Sequence, residues 1–239
     1  MSDYNFGDYR EIAPIALHLP HMAALLAADT SGSMYGLAIN SVNRCINRFK
    51  RDICKDEKAA SAVDVAVVSF NTEPTVVQNW RPIKELEPVE MSADGGTDIS
   101  KALDLSIDMT RERCNLYVDS GMEVKKPWVI LITDGHDPHI DDVAERVKKR
   151  TEEGKLMLWV LAVGDYDKKT IAKLTGGKRV FELKDGADLD FSEFFDFMAV
   201  SIKTVSTSAA GDGRVSVKHR IGGEDSNFRV PDLDEWLND

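Results

Sequence analysis

Residues 25–34 read LLAADTSGSM, an apolar run that ends in an aspartate and two serines at alternate positions. A second run, WVILITDG at residues 128–135, ends in a similar way, with an aspartate and a glycine after the apolar stretch. Neither run alternates apolar with polar residues, which is typical of strands buried on both faces. The two runs therefore predict central parallel strands that bring carboxylates to one edge of a sheet.

Outward from these two runs, the chain alternates short apolar segments with amphipathic stretches, the pattern of a parallel sheet covered on both faces. Five segments predict strands: Met22–Ala28, Val63–Phe70, Trp128–Thr133, Leu156–Val163 and Arg179–Leu183. A shorter run, Thr75–Trp80, follows the second strand so closely that it predicts an antiparallel hairpin partner at an edge. We expect an α/β, Rossmann-like, doubly wound and mostly parallel sheet of about six strands.

The amphipathic stretches between the strands predict helices on both faces of this sheet. In the first of them, apolar residues recur at three- and four-residue steps: Val42, Ile46, Phe49 and Ile53. Asp98 is well placed to cap a second helix that begins near Ile99. A Phe-rich stretch from about Asp190 to Val205 predicts the last long helix, with its aromatic face in the core.

Composition excludes several classes of protein. The 239 residues carry 30 Lys and Arg against 41 Asp and Glu, a formal charge of −11, so we expect no nucleic-acid partner. The longest apolar stretch, Met22–Ala28, is much shorter than the roughly 18–20 residues of a membrane span, and the acidic N-terminus does not resemble a signal peptide. Three cysteines without paired spacing fit a reducing compartment. We therefore expect a soluble cytoplasmic protein that does not bind membranes.

The chain divides into an N-terminal extension (1–20), one large domain (21–208) and a polar C-terminal extension (209–239). Two apolar patterns interrupt that last extension: Val215, Val217 and Ile221 alternate as in an edge strand, and Leu233, Trp236 and Leu237 follow three- and four-residue steps. We expect the second group to dock on an apolar groove of this body or of a partner. The alternatives are a frayed tail, or acidic residues there that reach a neighbouring chain's metal.

Oxygen-bearing side chains gather at the predicted edge of the sheet. Asp29, Ser31 and Ser33 follow the first strand, and Asp134 follows the fourth. A Gly-Gly-Thr-Asp loop precedes the second helix, and its glycine pair would let the backbone bring the Thr97 hydroxyl close to a ligand. Hard cations such as Mg²⁺ prefer ligand sets made only of oxygen. The sequence therefore predicts a divalent cation site.

The order of these three motifs resembles that of the von Willebrand factor A (VWA) domain family with a metal-ion-dependent adhesion site, or MIDAS. The resemblance extends over roughly residues 20–207. Within the family the chain is most similar to the bacterial, cytoplasmic, tellurite-resistance TerY-like group. The supporting stretches are LLAADTSGSMYG, KPWVILITDG and the Phe-rich final helix that runs into SIKTVSTS.

The resemblance implies a VWA fold with one Mg²⁺ or Ca²⁺. It makes Ser31, Ser33 and Thr97 direct hydroxyl ligands, and Asp29 and Asp134 ligands either directly or through water. An Asp or Glu carboxylate from a partner protein would complete the metal's coordination. The TerY-like likeness also implies a bacterial stress-response setting, in which relatives are associated with a protein kinase and a protein phosphatase. The predicted function is a metal-dependent interaction module without catalysis of its own.

The same residues are compatible with other functions. An Mg²⁺-dependent phosphohydrolase or phosphotransferase could use Asp29 as its nucleophile, but Ser31 stands where such enzymes carry a second aspartate as general acid. No phosphate-binding Gly-rich motif is present. His136 and His139 could hold a transition metal together with Asp137, although no third His or Cys lies nearby. The Asp-x-Ser-x-Ser motif taken alone is also a common turn.

Overall fold

The computed structural model describes residues 19–135, 137, 139–184, 188–207 and 226–230. The strands are β1 (Met22–Asp29), β2 (Val63–Phe70), β3 (Pro74–Pro82), β4 (Trp128–Thr133), β5 (Met157–Ala162), β6 (Val180–Leu183) and β7 (Phe228–Arg229). The helices are α1 (Leu37–Ile53), α2 (Glu57–Ala62), α3 (Ile99–Asp119), α4 (Asp141–Glu152), α5 (Lys168–Thr175) and α6 (Ser192–Thr207). These elements confirm an α/β fold with a mostly parallel sheet.

The two uninterrupted apolar runs, β1 and β4, are neighbours at the centre of this sheet. The strand order is β3-β2-β1-β4-β5-β6-β7, and the five middle strands run parallel. Ala28 pairs with Ile132 in the β1–β4 register. Because these residues directly precede Asp29 and Thr133, the polar residues that follow both strands leave the sheet at the same, carboxyl, edge.

Both faces of the sheet are covered, which explains why β1 shows no polar alternation. Its even-numbered residues, from Met22 to Ala28, pack into the core that α1 and α6 cover. Its odd-numbered apolar residues, from Ala23 to Ala27, pack into the opposite core beneath α3 and α4. The strand is therefore buried along its whole length, as expected for the centre of a doubly wound sheet.

The helices follow the predicted periodicity. The predicted stripe of α1 is fully buried, and the Asp98 side chain caps α3 by accepting a hydrogen bond of 2.8 Å from the Lys101 N–H. The sequence reading missed α2, which Asp56 caps in the same way through the Ala59 N–H. Among the described residues, none of the helices combines the length and apolar character needed to cross a bilayer.

Both edges of the sheet end in antiparallel pairs. The hairpin partner predicted at Thr75–Trp80 is β3, which pairs antiparallel with β2. The opposite edge carries β7, which pairs antiparallel with β6 and buries Phe228. The body therefore also holds a short strand from the C-terminal segment. The apolar groups predicted at 215–221 and 233–237 lie outside the described residues.

Candidate metal centre

The first part of the site is the turn that follows β1. Asp29 is completely buried, and its Oδ1 accepts a hydrogen bond of 2.8 Å from the Ser31 N–H. Its Oδ2 accepts a second bond of 2.7 Å from the Thr133 hydroxyl on β4. Burial raises the pKa of the Asp29 carboxyl, these hydrogen bonds lower it, and the negative charge of Asp134 raises it further. Hydrogen-bond donors thus hold the Asp29 carboxyl in place, and among the described residues no ion pair joins it to a Lys, Arg or His side chain.

Two serine hydroxyls connect this turn to Asp134. The Ser31 and Ser33 Oγ atoms lie 3.0 Å apart, within hydrogen-bond distance. The Ser33 hydroxyl donates to Oδ2 of Asp134, which directly follows β4. Ser31 is buried while Ser33 is exposed, so the chain of hydrogen bonds runs from the interior to the surface. The structure therefore brings Asp29, Ser31, Ser33 and Asp134 together.

The second oxygen of Asp134 stands out in this arrangement. Asp134 Oδ1 is buried and, among the described residues, has no hydrogen-bond donor. A buried carboxylate oxygen without a partner is costly unless a donor or a cation satisfies it. The oxygen lies at the convergence of two carboxylates and two hydroxyls, a donor set that fits a hard divalent cation. The residues present therefore fit a cation of the Mg²⁺ or Ca²⁺ type.

The loop that carries Thr97 is tied to the β1 turn by the backbone. The Gly32 N–H donates to the Gly95 carbonyl at 3.0 Å, and the Asp94 N–H donates to the Thr30 carbonyl at 2.7 Å. Gly95 adopts a φ of 78°, which favours glycine. Among the described residues, no hydrogen bond engages the half-buried Thr97 hydroxyl. The loop thus lies beside the serine turn, but within the described part of the chain no hydrogen bond joins the Thr97 side chain to the other four residues.

Several residues that support the site were not singled out from the sequence. Thr133 donates to Asp29 and accepts a hydrogen bond of 3.0 Å from the Gly135 N–H. Asn71, which follows β2, donates through its side chain to the Asp94 carbonyl at 3.0 Å and accepts the Asp98 N–H through its own carbonyl at 2.8 Å. The sequence offered one indication of each: Thr133 directly precedes Asp134, and Asn71 directly follows a predicted parallel strand.

The loop after Asp134 has a structural role. Asp137 is buried and accepts hydrogen bonds from the Ser100 N–H at 3.1 Å and the His139 N–H at 2.8 Å. It therefore fastens this loop to the start of α3. Within the described part of the chain, no three His, Cys, Asp or Glu side chains form a metal-binding group. His136 lies outside the described residues.

The family model for the von Willebrand factor type A domain matches residues 25–196. The chain belongs to this family. The match begins within β1, extends over both motif loops and β4, and ends near the start of α6, so the parallel core described above is that of a VWA domain. No curated protein sequence matches the chain.

Solved structures share the VWA fold at low sequence identity. A pilus adhesin, SpaC from Lactobacillus rhamnosus GG, is 14% identical with a TM-score of 0.63. The match covers 82% of the present chain and 31% of the SpaC chain. A von Willebrand factor type A protein from Catenulispora acidiphila is 18% identical with a TM-score of 0.57, covering 77% and 43%.

A third similar structure is proximal thread matrix protein 1 from the mussel byssus, described with a zinc-occupied MIDAS motif. It is 21% identical with a TM-score of 0.50, covering 77% of this chain and 46% of its own. The present chain thus spans less than half of each of these three proteins. At these identities the likeness establishes the fold, and the site rests on the residues of this chain.

Proposed function

We propose that this VWA domain is a metal-dependent protein-interaction module that binds a partner carboxylate through a divalent cation. Ser31, Ser33 and Thr97 would hold the cation through their hydroxyls, with Asp29 and Asp134 as carboxylate ligands, directly or through water. Three of the five proposed ligands are neutral hydroxyls, so the cation would still attract an anionic oxygen as a further ligand. The unpartnered, buried Oδ1 of Asp134 is the observation that carries this proposal.

Mg²⁺ or Ca²⁺ is the proposed ion because every donor in the set is oxygen. The zinc-occupied MIDAS of the mussel protein supports a divalent ion at a VWA site of this kind. Zn²⁺ is the competing ion to include in a titration, although it generally prefers nitrogen and sulfur ligands.

Two large side chains with apolar surface are exposed close in sequence to the proposed site. Tyr35 and Leu37, which follow Ser33 by two and four residues, are 80% and 74% exposed. Together they offer apolar surface that a partner could cover. We therefore propose that the partner presents an Asp or Glu flanked by apolar residues, so that one contact binds the metal and the others cover Tyr35 and Leu37.

A metal titration tests the site. Calorimetry with Mg²⁺ and with Ca²⁺ is expected to show a single saturable site per chain, which Asp134→Asn removes. Asp119→Asn is the matched control, because it makes the same charge change at an exposed position at the end of α3. Cation binding to the folded state is also expected to raise the melting temperature of the wild type and not that of Asp134→Asn. Absence of saturable binding in the millimolar range would refute the site.

A capture experiment tests the interaction. Partner proteins should be retained from native lysate in Mg²⁺ and released by EDTA, and Asp29→Ala should not retain them. Tyr35→Ala is expected to weaken retention while leaving the calorimetric affinity for the cation unchanged, because Tyr35 offers surface area and not a ligand oxygen. If neither EDTA nor Tyr35→Ala changes the retention of partner proteins, the interaction lies on another face of the domain.

We further propose that the module lacks catalysis of its own, belongs with the tellurite-resistance TerY-like proteins and works beside a protein kinase and a protein phosphatase in a bacterial stress response. The motif stretches quoted above support the subgroup. A cytoplasmic location is proposed on the three cysteines, all of which are free. Identification of a kinase or phosphatase among the EDTA-released proteins, and fractionation of cells, would test these points.

The competing function is Mg²⁺-dependent phosphoryl transfer from Asp29. In the structure both Asp29 carboxylate oxygens accept hydrogen bonds from Ser31 and Thr133, and the residue is completely buried, so neither oxygen is free to attack a substrate. Purified protein is expected to hydrolyse neither generic phosphate esters nor ATP above background. Turnover that copurifies with the protein and disappears in Asp29→Asn would favour the enzyme.

A further inference from the structure

A cavity of about 400 Å³ opens at the amino edge of the sheet, opposite the proposed metal centre. Its walls come from the C-terminal half of α3, the segment that leads into β4, the end of α4 and the turn that leads into β5. The metal centre lies where β1 and β4 end, whereas this cavity lies where β4 and β5 begin. It is therefore a separate site, which we call the basic pocket.

The lining of the basic pocket is strongly cationic. Five of its residues carry positive charge, and none carries negative charge: Arg111, Lys125, Lys126, Arg150 and Lys155. This concentration is unusual in a chain with a formal charge of −11. A concave surface lined with one sign of charge focuses the field and raises the local concentration of counter-ions.

Three of these cations have carboxylate neighbours outside the lining. Arg111, Lys125 and Lys155 form ion pairs with Asp108, Glu123 and Glu153, at 3.2, 3.0 and 2.9 Å. Each pair joins residues close in sequence and leaves the acidic side chain outside the lining of the cavity. These pairs reduce the positive field of the pocket without filling it.

The other two cations, Lys126 and Arg150, form no ion pair among the described residues. Arg150 Nε is buried there without a hydrogen-bond acceptor. Lys126 extends toward the turn that leads into β5, since a Cβ at Gly154 would lie 4.0 Å from Lys126 Nζ. An ammonium and a guanidinium on different walls are thus available to an anion.

The remaining wall adds no negative charge. Cys114 lines the pocket, and burial raises the pKa of its thiol to about 12, so it stays neutral at physiological pH. The exposed Asn115 adds amide hydrogen-bonding capacity. The volume falls in the range of small-molecule sites, about 300–1,000 Å³.

We infer that the basic pocket binds a small, multiply charged oxyanion, the group that phosphorylated metabolites and polycarboxylates share. Arg presents a planar fork that matches phosphate or carboxylate oxygens, and Lys adds a point charge. The combination of Lys126, Arg150 and the three paired cations provides charge for more than a single negative group. The pocket and the metal centre would then be two binding sites at opposite edges of one sheet.

Calorimetry on the full chain tests this inference after the protein has been passed over a chelating resin and placed in buffer without divalent ions or soluble chelator. The absence of free divalent ions prevents a phosphate from binding through the metal centre. The probes are inorganic pyrophosphate and citrate, with singly charged acetate as the negative probe. Saturable binding of pyrophosphate or citrate is expected, and the tighter of the two identifies the phosphate or the carboxylate class. Asp134→Asn is expected to bind the same probe unchanged, which separates this site from the proposed metal function.

The decisive variant combines Lys126→Gln with Arg150→Gln. It is expected to lower the affinity for the probe about tenfold or more. Lys58→Gln with Lys84→Gln is the matched control, since it removes two exposed charges elsewhere and should change affinity less than twofold. If the double variant folds poorly, Lys126→Gln alone replaces it in the test, because Lys126 is exposed.

Three results would overturn the inference: neither probe binds, the pocket variant binds like the wild type, or both double variants lose affinity equally. The last result would show a general effect of net charge.

Discussion

Replacing Asp64 should strongly destabilise the VWA domain. Asp64 on β2 and Arg113 on α3 are both buried, with side chains 1% and 0% exposed. Asp64 Oδ2 accepts from Arg113 Nε at 3.1 Å and from Arg113 Nη2 at 2.6 Å, and also from the Tyr117 hydroxyl at 2.6 Å. One carboxylate oxygen therefore satisfies donors from two successive turns of α3.

The size of the effect follows from this arrangement. Asp64→Asn leaves an amide of the same shape but removes the charge that compensates the buried guanidinium, and removal of one partner of a buried pair costs about 3–5 kcal/mol. Tyr117→Phe keeps the ion pair. It removes the hydrogen bond that Tyr117 donates to the charged Asp64, which costs about 1.5–3 kcal/mol, together with a longer one of 3.4 Å from Arg113 Nε. We therefore expect the free energy of unfolding to fall more for Asp64→Asn than for Tyr117→Phe.

Urea denaturation at neutral pH measures both effects, and cation titration of the folded variants provides the second readout. The network lies toward the C-terminal half of α3, far along the helix from its start at Ile99, so the affinity for the cation should stay within about twofold of the wild-type value. A loss below about 1 kcal/mol for Asp64→Asn, or a larger loss for Tyr117→Phe, would refute the charge-compensation argument.

Two further predictions concern stability. Gly135→Ala should lower the free energy of unfolding by about 1 kcal/mol or more, because Gly135 has a φ of 73° and an added Cβ would lie 3.0 Å from Ile171 Cδ1. Gly154→Ala is the control in urea denaturation. Gly154 has a φ of 72° but no atom nearer than 3.9 Å to an added Cβ, so the comparison separates crowding from backbone strain. Stability should also fall as the pH rises above 9, because burial raises the pKa of the Cys114 thiol from 9.0 to about 12, so the unfolded chain releases a proton that the folded chain retains. Cys114→Ala should reduce that slope in denaturation curves between pH 9 and 11, and an unchanged slope would contradict the assignment.

The sequence was sufficient to predict β1 to β6, because each is a distinct apolar run bounded by polar residues. It was insufficient for α2, whose six residues, EKAASA, are too few to show a helical stripe. It was also insufficient for β7, where two residues form a strand only because Phe228 and Arg229 pair with β6. Short elements depend on long-range contacts, which no local pattern records.

The sequence also predicted only part of the candidate site. The residue types and their order on the chain were visible in the motifs, since Asp29, Ser31, Ser33 and Asp134 all follow predicted strands. The orientation of each oxygen was not visible, because it depends on partners distant in sequence. Asp29 receives the Thr133 hydroxyl across a separation of 104 residues, and Asn71 holds the Asp94 carbonyl from the end of another strand.

These orientations indicate different roles for the carboxylates of Asp29 and Asp134. Both oxygens of Asp29 are occupied by protein donors, so its charge acts mainly by fixing the Ser31 backbone and the Thr133 side chain. Asp134 has one oxygen that receives the Ser33 hydroxyl and another that is buried without a donor. Burial is the main cause of the raised pKa of Asp29, and the nearby negative charge of Asp134 adds to it. A cation is the simplest group that would stabilise both carboxylates and satisfy the Asp134 oxygen that has no donor. On this reasoning we propose that Asp134 would be the carboxylate facing the cation, and that Asp29 would hold the serine turn in the shape the cation requires.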